Sequence, residues 1–237
     1  LLPVRTILGV VAIFFLWGFP PPFACQKSSR LAVAEPPADT GSLSYLALGD
    51  SYTIGESVSP SVRYPAQVSK AICPSCNTPD IIAATGWTTA DLFNALLAES
   101  HPTYQLVTLL IGVNNQYQGR SQAEYEIQFT TLLKEAITLT GGRPDHVLVL
   151  SIPDYSVTPF GRSTGAGAAI AAQIDSFNVI NYRVSQAYKA GYLDITPDSR
   201  MAAADVTLVA ADGLHFSGKE YAVWARRMLP LIKGMRK

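Results

Sequence analysis

The sequence predicts an α/β protein, a three-layer α/β/α sandwich around a central parallel sheet. Two observations carry that expectation. Short apolar runs recur at 45–48, 81–84, 106–111 and 147–152 without polar alternation, as strands covered on both faces require. Between them lie amphipathic segments whose starts carry capping signals, and strands alternating with helices build parallel sheets covered on both sides.

Taken in order, the run 45–48 opens the domain and leads into Gly49-Asp50-Ser51-Tyr52-Thr53-Ile54-Gly55, where the chain turns from strand to helix. After the second run, Thr88 and Asp91 stand at capping-box spacing, a hydroxyl and an acid that satisfy the first free amides of a helix. After the third run, Ser121 and Glu124 repeat that spacing. Tyr125, Phe129, Leu132, Leu133 and Ala136 then fall on one helical face, and Gly141-Gly142 with Pro144 stops the helix. Beyond the fourth run, a long helix over 168–190 is predicted to end at Gly191, with 192–195 as the last strand. Ser217 and Glu220 open a final helix through Trp224 and Met228, with Pro230 as its kink or stop. Folds of this layout place their sites at the carboxyl ends of the strands.

The N-terminus reads as targeting sequence. Arg5, the apolar run 7–19 and Pro20-Pro21-Pro22-Phe23-Ala24-Cys25 match the charged, apolar and cleavage regions of an export signal over 1–25. The apolar run is short of the roughly 20 residues of a membrane span. Cys25, followed by Gln26-Lys27-Ser28-Ser29, resembles the acylated cysteine of a bacterial lipoprotein, although Pro22 stands where that pattern has an aliphatic residue. Lipid anchoring and free secretion are both open, and either takes the protein out of the cytoplasm, to the periplasm or beyond. Residues 26–42, rich in Pro, Ala, Asp and Gly toward their end, read as a linker, and the domain occupies 43–237. In an oxidising compartment, Cys73-Pro74-Ser75-Cys76 reads as a short structural disulfide rather than a redox motif or half of a zinc site.

Charge excludes one class of partner. Eighteen Lys and Arg balance eighteen Asp and Glu among the 237 residues, so there is no basic field to attract a phosphate backbone, and no nucleic acid is expected. His101 and His146 have no acidic or cysteine neighbour at metal spacing, and neither a metal nor a cofactor is expected.

Two segments carry candidate chemistry. Ser51 stands where a backbone amide at a helix start faces a developing oxyanion, with glycines on both sides. Near the other end, Asp212-Gly213-Leu214-His215 places a carboxylate and an imidazole on one loop, the pair a serine hydroxyl needs for proton transfer. Each segment alone also reads as ordinary helix capping or a turn.

Together they resemble the SGNH/GDSL hydrolase family, whose Gly-Asp-Ser block is early and whose Asp-x-x-His block is late. Gly86, in Thr85-Gly86-Trp87-Thr88, resembles the family glycine of the oxyanion hole. Gly112-Val113-Asn114-Asn115 is similar to the Gly-x-Asn-Asp block except at Asn115, where the family has an acid. The resemblance implies a flavodoxin-like SGNH hydrolase fold with Ser51 as nucleophile, His215 as general base and Asp212 as its partner. It also implies an oxyanion hole of the Ser51 and Gly86 amides and the Asn114 side chain. The implied activity is serine carboxyl-ester hydrolysis of short-chain or small acyl esters on a small-molecule, carbohydrate or lipid alcohol. The rivals are an O-acyltransferase and a non-catalytic ligand-binding lipoprotein on the same fold. Tyr52, Trp87, Asn115 and Tyr117 are candidate substrate contacts beside these blocks, with Gln116, Tyr155 and Phe160 near them.

Overall fold

The computed structural model describes residues 43–74 and 78–235. The expected signal, Cys25 and the linker lie outside the described residues. Every residue of β1 (Tyr45–Gly49) is buried, and so is every residue of β3 (Leu106–Leu110) and β4 (Val147–Leu150). With β2 (Asp80–Ala83) and β5 (Gly191–Leu193) they form a sheet in the order β2-β1-β3-β4-β5, parallel throughout. The register sets Gly49 beside both Ala83 and Leu110, so three strands end at one level.

The helices follow the predicted alternation. After β1 come α1 (Ser51–Ile54) and α2 (Tyr64–Ile72), and after β2 comes α3 (Thr89–Leu97). After β3 come α4 (Val113–Tyr117) and α5 (Gln122–Leu139), and after β4 come α6 (Pro159–Ser163) and α7 (Gly167–Ala187). After β5 come α8 (Thr196–Arg200) and α9 (Gly218–Met235). Helix α2 packs on α9, while α3, α5 and α7 pack in series. Right-handed crossovers put these two groups on opposite faces, which gives the three layers. The predicted α5 face is the buried one, from Tyr125 through Phe129, Leu132 and Leu133 to Ala136.

Several expectations are corrected. Strand β2 is not covered on both faces: Asp80 is exposed and Ile81, Ile82 and Ala83 are half-buried, because β2 is an edge of the sheet. Ile111, Ile152 and Ile195 are fully buried but lie beyond the strands to which their apolar character assigned them. Side chains replace the ladder there. Asn178 accepts from the Ile152 amide at 2.7 Å and donates to its carbonyl at 2.9 Å, and Ser151 Oγ accepts from the Ile195 amide at 2.8 Å.

Helix α7 stops before Gly191, which begins β5; Lys189 takes the left-handed position at φ 60°, and the Ala190 amide caps the Ser185 carbonyl at 3.0 Å. Pro230 does not end α9, which continues to Met235. Of the three capping boxes, Thr88 and Asp91 form both bonds, and Ser121 Oγ accepts from the Glu124 amide at 3.1 Å. At the third, the Ser217 hydroxyl donates to the Thr207 carbonyl at 2.8 Å and the Glu220 carboxylate accepts from the Trp224 indole at 2.6 Å. The first ties the start of α9 to the preceding loop, and the second lies within α9 itself, one turn along. Cys73, at the end of α2, is disulfide-bonded, and Cys76 lies outside the described residues.

Trp224 joins the two sides of this layer, contacting Tyr64 of α2, Phe216 and Tyr221 while satisfying buried Glu220. Trp224→Ala is expected to cost about 3–5 kcal/mol, from the cavity together with an orphaned carboxyl. Urea denaturation checks this, and a loss under about 1 kcal/mol would contradict it.

Candidate active site

Asp50 caps α1, its carboxylate accepting from the Tyr52 amide at 3.0 Å, and this fixes Ser51 as the first helical residue. Ser51 is buried to 4% exposure at the carboxyl end of β1. Asn114 follows β3 in the same way, on the first turn of α4. Gly112, which starts that turn, sits at φ 129°, and a Cβ there would come within 2.5 Å of the Tyr125 hydroxyl. Glycine is therefore required on both backbone and steric grounds.

The segment 209–216 doubles back on itself. Val209 and Phe216 form an antiparallel bridge, and the Ala210 amide donates to the His215 carbonyl at 2.7 Å. At its tip the His215 ring nitrogen Nδ1 lies 2.6 Å from Asp212 Oδ2. Asp212 Oδ1 accepts from the amides of Leu214 at 2.9 Å and His215 at 3.0 Å. The Ser57 hydroxyl donates to Oδ2 at 2.8 Å. Burial alone raises the Asp212 carboxyl, but the bonds from His215, the Leu214 amide, Ser57 and the His215 amide outweigh it and hold the group at about 2. The acid is ionised at any ordinary pH.

Ser51, Asn114 and His215 line one cavity of about 290 Å³, together with Tyr52, Val113, Tyr117, Tyr155, Phe160 and Leu214. Tyr117, Tyr155 and Phe160 form one wall, with each pair of ring centroids 6.4 Å apart, and Tyr117 is 62% exposed at its rim. The Phe160 amide donates to the Gly213 carbonyl at 2.9 Å, tying that wall to the histidine loop.

The remaining predicted residues are placed differently. Gly86, exposed at φ 84°, lies on the loop after β2 beside Trp87. Trp87 and Asn115 are not among the lining side chains. The Trp87 carbonyl accepts from Asn114 Nδ2 at 2.9 Å, so Trp87 orients Asn114 through its backbone while its ring packs on the core. Asn115 is fully buried, accepting from the Thr89 amide at 3.0 Å and donating to the Thr89 hydroxyl at 2.7 Å, a brace between α4 and α3. Gln116 is also buried and donates to Gln173 at 2.7 Å. His146 Nδ1 lies 2.8 Å from the Gln105 carbonyl, far in the chain from these blocks. Among the described residues no cluster of His, Cys, Asp or Glu has the makeup of a metal site.

Sequence reading missed Ser57, Val113 and Leu214. The last two are the variable positions inside recognised blocks. Ser57 gave no signal, since its partner is 155 residues away in the chain.

A family described as the GDSL-like lipase/acylhydrolase family matches residues 47–223. The chain belongs to that family. Solved structures with the same fold include phospholipase A1 from Streptomyces albidoflavus, 20% identical over 81% of this chain and 99% of that one, with a TM-score of 0.60. A lipase/acylhydrolase from Enterococcus faecalis is 20% identical over 81% and 96%, with a TM-score of 0.61. An acetylxylan esterase from Geobacillus stearothermophilus is 19% identical over 80% and 94%, with a TM-score of 0.56. No curated protein matches the chain significantly. The fold of this GDSL-like hydrolase is thus shared with enzymes named for quite different esters.

Two buried carboxyls of the GDSL domain titrate near neutrality. Burial raises Asp50 to about 7 against the opposing amides of Tyr52 and Gly112. Burial, with Asp198 adding to it, raises Glu220 to about 7 against the Trp224 bond. Both bind a proton more tightly folded than unfolded. Their contribution to stability is therefore full below the unfolded values of 3.8 and 4.5 and is lost as pH rises through about 7. Asp212 has the opposite sign, and its stabilisation is lost only as pH falls toward about 2. Tm is expected to fall between about pH 5 and pH 8, and to fall less in Glu220→Gln and in Asp50→Asn. Differential scanning calorimetry at the two pH values checks this; equal slopes in all three proteins would refute it.

Proposed function

We propose that the protein is a serine carboxyl-ester hydrolase that cleaves short-chain or small acyl esters through an acyl-serine intermediate. The observation that carries this reading is the convergence of Ser51, Asn114 and the Asp212-paired His215 on one cavity. In the first step Ser51 Oγ attacks the ester carbonyl carbon while His215 Nε2 takes its proton. Asp212, bonded at Nδ1, keeps the tautomer that leaves Nε2 free and stabilises the imidazolium. The oxyanion that forms is received by the Ser51 amide and the second Asn114 Nδ2 hydrogen, the first being held by Trp87, with the Gly86 amide as the third donor that the family resemblance implies. The alcohol leaves with the proton from His215. Water then attacks the acyl-serine and gives its proton to His215, which passes it to Ser51 Oγ as the acyl–oxygen bond breaks, releasing the acid and restoring Ser51.

The cavity supports the substrate class. About 290 Å³ is at the small end of ligand pockets, and apart from His215 its lining is aromatic, aliphatic or neutral polar. A small neutral acyl group on a carbohydrate or lipid alcohol fits that lining. Among the structural neighbours, one is named for an acetyl ester of a carbohydrate, the acetylxylan esterase, and another for a lipid substrate, the phospholipase A1. Export, with a lipid anchor at Cys25 or by free secretion, suits an enzyme that meets acylated material outside the cytoplasm.

Hydrolysis of p-nitrophenyl esters from acetate upward is expected from the soluble domain, with turnover falling to background in Ser51→Ala at unchanged circular dichroism. Equal activity in the two proteins would reject the serine mechanism. Binding without turnover would favour a ligand-binding lipoprotein, and ester formation with an added alcohol would favour an acyltransferase. Asn114→Ala is expected to lower kcat about 100- to 1,000-fold. Steady-state kinetics on the preferred ester read that loss, and a decrease under about tenfold would remove Asn114 from the oxyanion hole.

A further inference from the structure

Ser57 and Lys189 are the non-glycine residues with positive φ among the described residues. Lys189 terminates a helix, where that conformation is usual. Ser57 terminates none: it sits at φ 64° two residues past the left-handed cap of α1, Gly55, a conformation a glycine would hold with less strain. Its hydroxyl is thereby directed to Asp212 Oδ2 at 2.8 Å.

The origin of that bond sets it apart. The other donors to Asp212 are the His215 ring and the amides of Leu214 and His215, all from the loop that carries the acid. They fix the carboxylate against the imidazole but not against the segment carrying Ser51, which otherwise meets this pair through the Tyr52 ring, edge-on to His215 with centroids 5.6 Å apart. Ser57 lies six residues after Ser51, on the turn whose Glu56 amide bonds the Ser51 carbonyl at 3.0 Å. The same turn reaches the other side of the site, where the Glu56 carboxylate accepts from the Thr85 hydroxyl beside Gly86.

We propose that Ser57 is a positioning residue that locks the Asp212 carboxylate, and through it the His215 ring, to the segment carrying Ser51. The proposal rests on the serine-esterase reading. Its test separates the two. Ser57→Gly removes the hydroxyl and suits the left-handed backbone, so Tm is expected to hold or rise while kcat falls about tenfold with KM little changed. Ser57→Asn, which tolerates the same backbone and carries amide donors, is expected to recover most of that loss. Ser59→Ala, two residues on and with its hydroxyl bonded to Ser61 rather than to the site, serves as the neutral control. Without substrate, the low-field proton resonance of His215 Nδ1 is expected to shift in Ser57→Gly and to stay in Ser59→Ala. Wild-type kcat in Ser57→Gly, a loss confined to KM, or an unmoved resonance would each overturn the proposal. Failure of the esterase reading shows instead as turnover indifferent to Ser51→Ala, and the resonance still decides the role of Ser57.

Discussion

The site depends on two neighbouring parallel strands whose connections leave in opposite directions. From β1 the chain runs to β2 on one side, and from β3 to β4 on the other, so no connection crosses the crevice between their carboxyl ends. Ser51 and Asn114 stand on its two banks in the first turns of short helices. Asp50 stands between the banks: its buried carboxyl accepts from the Tyr52 amide of one at 3.0 Å, and the Gly112 amide of the other is near enough to oppose the rise that burial gives it. Such a contact leaves no room for a side chain at position 112, where Tyr125 and Ile152 already fill the space. One glycine and one buried acid thus set the separation of the nucleophile from its facing asparagine.

The opposite wall is held by polar groups where the sheet has ended. Ser151 Oγ, Thr196 and Asn178 take the backbone groups that β4 and β5 no longer pair, each within 3.0 Å of a partner. Above them, Asp154 caps the turn that begins at Tyr155, accepting from the Ser156 amide at 2.8 Å, and Arg200 grips its other oxygen at 2.8 Å and Asp175 at 2.7 Å. Asp154 is buried, and the Arg200 guanidinium and the Ser156 amide between them supply a partner to each of its oxygens. Tyr155 and Phe160 are therefore mounted on an anchored loop, although neither belongs to a long regular element.

Local signals made much of this legible. Apolar runs located all the strands to within about two residues, and the α5 face could be read from its periodicity alone. The Asp212 and His215 pairing was legible because both partners lie within one turn of chain. What escaped was set by partners distant in sequence. Nothing near Ile152 announces that Asn178 will take its amide, and nothing near Ser57 points to Asp212. The Ser217 and Glu220 spacing misled although the competing partners are near in the chain: the Thr207 carbonyl ten residues back takes the Ser217 hydroxyl, and the Trp224 indole one turn on takes the Glu220 carboxylate. Trp87 was placed correctly beside the site but given the wrong atom, its carbonyl rather than its ring meeting Asn114.

Asn115 shows how a departure from a family pattern follows from hydrogen-bond direction. The Thr89 amide can only donate, so it fixes Asn115 Oδ1 as the atom facing it and turns Nδ2 toward the Thr89 hydroxyl. That hydroxyl has one hydrogen, which goes to Gln128 Oε1, and Gln128 Nε2 in turn donates to Glu124 at 3.1 Å. Thr89 Oγ1 therefore presents a lone pair to position 115. With the bonds so directed, a carboxylate there would take the amide but meet oxygen with oxygen, at a fully buried position. The neutral amide matches both neighbours at once, and the chain Asn115–Thr89–Gln128–Glu124 carries the bond direction outward to a half-buried acid. The loss of a charge beside Asn114 is thus compensated within the α3–α4–α5 contact itself, and Asn114 keeps its orientation from Trp87 instead.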